Sequence, residues 1–138
     1  MGTKIFVNLP VKDLGKSVEF FTKLGFKFDP QFTDQTATCM IVAHDIFVML
    51  LTEEKFKLFT PKKICDATQS TEVLICLSCE SREKVDEMVN CAVAAGGTTY
   101  NEPQDHGFMY GHGFQDPDGH IWELMFMETG AMSQAEMQ

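Results

Sequence analysis

One order of secondary-structure signals runs through this chain twice, and that repetition limits the fold more than any single motif. Residues 4–11 are apolar and rich in strand formers. Asp13 then stands as a helix N-cap, followed by Leu14, Val18, Phe21 and Leu24 at helical spacing, with Gly25 at the end. Strands are predicted at 26–32, 37–43 and 46–52, the last two joined by His44-Asp45. Residues 53–70 break the pattern: Glu53 to Phe59 reads as a short helical turn, and the rest as a mobile linker. The pattern then restarts. Glu72–Cys79 reads as a strand, Ser81 as an N-cap, and Val85, Met88, Val89, Ala92 and Ala95 as an apolar helical stripe ending at Gly96-Gly97. Strands are predicted at 98–102, 109–115 and 120–128. Asp116-Pro117-Asp118-Gly119 supplies turn chemistry between the last two, with Pro at the second position and Gly at the left-handed one. The two N-caps lie 68 residues apart and the helix-ending glycines 72 apart, so the repeat is one of pattern more than of letters. The predicted architecture is α+β, two tandem βαβββ modules in one domain over residues 1–130. Module 1 covers about 3–53, the linker 54–70 and module 2 about 71–128, with a flexible tail at 131–138.

Charge separates the two modules. The chain carries −9 over 138 residues. Residues 1–70 hold nine Lys against eight acids, whereas 71–138 hold only Arg82 and Lys84 against twelve. Such a balance argues against electrostatic binding to nucleic acid or to an anionic membrane surface. No apolar run approaches the roughly 20 residues of a membrane span, and the N-terminus has no signal-peptide pattern. Five cysteines, an odd number, read as reduced thiols of a cytoplasmic protein.

Asp13-Leu14-Gly15-Lys16-Ser17, Phe20-Phe21, Leu24-Gly25-Phe26 and above all Asp116-Pro117-Asp118-Gly119-His120-Ile121-Trp122-Glu123-Leu124 resemble the vicinal oxygen chelate superfamily. That superfamily includes glyoxalase I, extradiol dioxygenases, and fosfomycin- and bleomycin-resistance proteins. The resemblance covers residues 4–128. It implies curved mixed sheets around a cup, a homodimer, and a divalent metal held by His, Glu or Gln from the first, fourth, fifth and eighth strands. Carried onto this chain, those positions fall at Phe6, at Met49 or Leu50, at Leu74 and at Glu123. Only Glu123 is a ligand type, because phenylalanine and leucine have no donor and methionine offers a weak thioether. No metal site of the glyoxalase I type is therefore expected, and no other cofactor is implied.

A four-residue turn at 116–119 would set His112 opposite Glu123 and Tyr110 opposite Met125. Alternation then turns Glu123, Met125 and Met127 toward the cup, and Trp122, Leu124 and Phe126 toward the helix. The expected cup is apolar at Phe6, Leu74, Met125 and Met127, and polar at Asn8, Cys76, Tyr110, His112 and Glu123. Two functions remain open on this reading. One is a metal-independent protein that binds a small, partly apolar molecule. The other is a glyoxalase-like or dioxygenase-like enzyme using Glu123 and His112 as an acid–base pair, with or without a metal. The same pair could equally be a salt link that fixes the final hairpin.

Other motifs carry less. Cys76 and Cys79 match Cys-x-x-Cys, but residues three apart on a strand point to opposite faces. His106, His112, His120, Glu102 and Asp105 have no standard ligand spacing, and His106 reads as a loop residue. Gly107, Gly111 and Gly113 precede no helix, so they read as bends in a strand rather than a phosphate loop.

Overall fold

The structure is a computed structural model, and it describes residues 2–128. The chain divides between Asp66 and Ala67 into two compact units. In the first, β1 (Ile5–Val11) leads through α1 (Leu14–Lys23) to β2 (Lys27–Asp29), β3 (Ala37–Ala43), β4 (Ile46–Thr52) and the short α2 (Glu53–Phe56). The sheet order is β1-β4-β3-β2, with β1 parallel to β4 and the other pairs antiparallel. In the second, β5 (Leu74–Ser78), α3 (Arg82–Ala94), β6 (Gln104–Asp105), β7 (Met109–Gln115) and β8 (Ile121–Met127) repeat the topology in the order β5-β8-β7-β6.

Local chemistry explains the elements. Asp13 caps α1 by accepting from the Lys16 N–H, and Ser81 caps α3 by accepting from Lys84. Phe20 and Phe21 of α1 and its C-cap Leu24 are buried, as are Leu9, Val11, Val48 and Leu50. In the second unit Val85, Val89 and Ala92 of α3 are buried with Phe114, Trp122 and Leu124. Each sheet thus has one face in a core and one open face.

Three predicted strands are shortened or moved. The strand predicted at 26–32 stops at Asp29, because Pro30 opens a 3₁₀ turn capped by the Asp29 side chain. The strand predicted at 98–102 is reduced to a single bridge between Thr98 and Gln115, and pairing resumes only at Gln104–Asp105. Pro103, which has no N–H to donate, lies between them. The last strand begins at Ile121 rather than at 120. The tail at 131–138 lies outside the described residues.

That late start overturns the predicted register. The β7–β8 loop holds residues 116–120, so Gln115 opposes Ile121, Gly113 opposes Glu123, and Gly111 opposes Met125. His112 opposes Leu124, not Glu123, and Tyr110 opposes Phe126, not Met125. The cause is Asp116. Its Oδ1 accepts from the Asp118 and His120 backbone N–H groups, both at 3.0 Å, and its Oδ2 accepts from Trp122 Nε1 at 3.1 Å. These bonds fold His120 into the loop, where it is 2% exposed and its Nδ1 donates to Glu72 Oε1 at 3.1 Å. Burial pushes the Asp116 carboxyl above the usual carboxylate range, while the His120 charge and the Trp122 N–H pull it down. Gly119, at φ +92°, completes the loop against the backbone of Ala67 and Thr68. A shift of one residue moves every β7 side chain to the other face.

Candidate functional site

The open face of the second sheet is fixed by this register. Cys76 pairs with Glu123 across the parallel β5–β8 contact, and Gly113 flanks Glu123 on the other side. The sheet is therefore floored by a thiol, a carboxylate and a glycine in a row. The missing side chain at 113 matters. A Cβ there would collide with the Tyr100 hydroxyl and lie 2.7 Å from the Trp122 carbonyl. The glycine lets the segment after Thr98 lay Tyr100 over the strand, beside Glu123 and Cys76.

These groups bound a cavity of about 200 Å³. Its walls include Cys76, Tyr100, Gly113, Glu123, Met109 and Met125, and Gln104, His106 and His112 border it. Desolvation, then the nearby Glu123 and Cys76, raise the Tyr100 phenol above its ordinary value, which keeps it a proton donor at neutral pH. Desolvation and Glu123 likewise raise the Cys76 thiol, so it is no thiolate nucleophile. Among the described residues of the second unit, the half-buried Glu123 carboxylate has neither a hydrogen-bond nor an ion-pair partner.

The sequence-predicted residues separate into three groups. Cys76, Glu123 and Met125 line the cavity, while Leu74 and, by alternation, Met127 share its face of the sheet. Tyr110 does not belong there. It shares the helix-side face, where its hydroxyl donates to Asp86 Oδ1 at 2.6 Å, and that bond, with desolvation, pushes it up to about 12. His112 borders the cavity from the edge of β7, and its Nε2 donates to the Asn101 carbonyl at 2.9 Å. The predicted cross-strand His112–Glu123 pair is therefore not formed, because Gly113 opposes Glu123 and His112 opposes Leu124, although both side chains border the cavity.

Phe6 and Asn8 lie on the open face of the first sheet. There Phe6 stacks on Phe47, with ring centroids 4.9 Å apart, and Asn8 pairs with Met49. The register resolves the fourth-strand position as Met49, since Leu50 pairs with Leu9 in the core. Tyr100 is the residue that sequence reasoning missed. A glycine in mid-strand, at 113, was the available signal of a close approach.

The residues at the four implied metal positions are thus Phe6, Met49, Leu74 and Glu123. Among the described residues no three His, Cys, Asp or Glu side chains come together as a metal-holding group. This donor set does not fit a divalent ion held by three or four ligands.

A profile of the Glyoxalase/Bleomycin resistance protein/Dioxygenase superfamily matches residues 5–124, nearly all of both units. The chain belongs to that superfamily. Solved structures of the superfamily's fold agree. A hypothetical protein from S. aureus is 31% identical, with a TM-score of 0.77, covering 91% of this chain and 94% of that one. A glyoxalase/bleomycin resistance protein/dioxygenase family enzyme from Burkholderia phytofirmans PsJN is 17% identical, with a TM-score of 0.76 and coverage of 91% and 99%. The fosfomycin resistance protein FosX from Listeria monocytogenes is 19% identical, with a TM-score of 0.67 and coverage of 94% and 97%. The last two likenesses concern the fold alone. The comparison with curated proteins found no match. Among the described residues no helix is long and apolar enough to cross a membrane.

Proposed function

We propose that this superfamily member binds a small, partly apolar molecule on the open face of its second sheet, without a metal of the glyoxalase I type. One observation carries the reading: a half-buried carboxylate with no partner among the described residues of its unit stands in a cavity walled by methionines and a phenol. Such a group offers a bound ligand a polar anchor among apolar walls. The cytoplasm and a homodimer remain the expected setting, and sedimentation of the purified protein measures the second.

A glyoxalase-like or dioxygenase-like enzyme is the second reading. Glu123 offers a carboxylate, the Tyr100 phenol lies beside it as a donor, and His112 borders the same cavity. Metal analysis of protein purified without an affinity tag tests both readings. Stoichiometric zinc, nickel, manganese or iron that is lost on Glu123→Gln would overturn the metal-free reading. Metal-free protein that consumes a hemithioacetal would move the assignment to the enzyme.

A further inference from the structure

Size limits the ligand first. A cavity of about 200 Å³ exceeds the roughly 150 Å³ that accommodates benzene. It falls short of the roughly 300–1,000 Å³ of drug-sized sites. One ring with a short substituent fills it. Met109 and Met125 offer polarizable surface suited to the edge of such a ring.

Charge limits the ligand further. The second half of the chain contains two basic residues, Arg82 and Lys84, and both are engaged elsewhere. Arg82 bonds the Gly107 carbonyl at 2.6 Å and Asp105 at 3.1 Å, with its guanidinium over the Tyr110 ring. Lys84 pairs with Glu87 at 3.6 Å. Neither lines the cavity, whose other polar groups are the Tyr100 phenol, the Cys76 thiol, the amides of Asn101 and Gln104, and two imidazoles. His112 already donates to Asn101. Nothing built into the unit neutralises Glu123, and the surrounding acids add potential of the same sign.

On the binding reading above, we propose that the site selects a small organic cation of about one ring, an arylalkylamine in its ammonium form. The ammonium meets Glu123 and the ring lies between Met109 and Met125. Tyr100, a protonated phenol, has an oxygen that accepts a second N–H of the ammonium.

Three matched probes test the ligand class on the full chain: benzylamine, benzyl alcohol and benzoate, titrated by calorimetry or NMR. Benzylamine is expected to bind about tenfold more tightly than benzyl alcohol, equivalent to about 1.4 kcal/mol, with benzoate weakest. Glu123→Gln should bring benzylamine down to the level of benzyl alcohol bound by the same variant, and an unchanged urea-unfolding midpoint shows that the variant is folded. If benzoate matches benzylamine, or the preference survives Glu123→Gln, the cation assignment is overturned while binding itself stands. If none of the three binds, both the cation assignment and the binding reading fall.

Discussion

The two units share one topology and differ in what their open faces present. The first sheet offers a stacked Phe6–Phe47 pair and the in-register neighbours Asn8 and Met49. At the corresponding parallel contact the second sheet offers Cys76 and Glu123, roofed by Tyr100. Their hairpins differ as well. The β3–β4 turn at His44-Asp45 is short and its side chains are largely exposed, whereas the β7–β8 loop is organised by the buried Asp116. On the proposed reading, the repeated scaffold leaves the binding chemistry to one half. The second unit holds an unpartnered carboxylate on its face and a satisfied one in its loop.

The largest expected effect tests the loop. Asp116→Ala strands the buried Trp122 indole N–H and the His120 amide, and should cost about 3 kcal/mol in urea unfolding. Asp45→Ala in the first unit should cost less than about 0.5 kcal/mol, because its partner His44 is exposed. Equal losses would remove the contrast between the hairpins.

Next comes the floor of the site. Gly113→Val meets the Tyr100 hydroxyl and the Trp122 carbonyl, and should cost about 2 kcal/mol while displacing Tyr100. Gly111→Ala, whose nearest atom is the Leu124 carbonyl at 3.3 Å, should cost under about 1 kcal/mol. Unfolding curves of the two variants decide whether Gly113 is the tighter position.

The smallest effects concern the segment that borders the cavity. Arg82→Ala removes the clamp on Gly107 and Asp105, and should lower stability by under about 1 kcal/mol while speeding amide exchange at 105–108. The Gly107 amide and the Arg82 guanidinium hold the Asp105 carboxyl below its ordinary 3.8. A lowered folded value means that this contribution is present above 3.8 and fades as pH falls through the lower folded value. The Gly107 amide resonance should therefore titrate with its acid midpoint below 3.8. An acid midpoint at or above 3.8 would contradict the Asp105 contact.

Much of this was legible in the chain. The N-caps Asp13 and Ser81 and the apolar stripes behind them set both helices, and the alternation in Ile121–Met127 placed Glu123 on the open face. The register was not legible. A Pro-Asp-Gly turn suggests four residues, and only the three-dimensional contacts of Asp116 with Trp122 and His120 reveal a fifth. That one residue took His112 out of the cross-strand position opposite Glu123 and turned Tyr110 to the helix side. Tyr100 escaped for a related reason: its segment reads as a strand, and a single bridge at Thr98 frees it to cross the sheet instead.

The most direct test of the account is a two-dimensional amide NMR titration of the full chain with benzylamine and benzyl alcohol. The expected result is a contiguous set of shifted resonances at Cys76, Tyr100, Gly111, Gly113, Glu123 and Met125. Shifts centred on Phe6, Phe47 and Met49 of the first sheet, with none around Glu123, would contradict the placement of the site in the second unit.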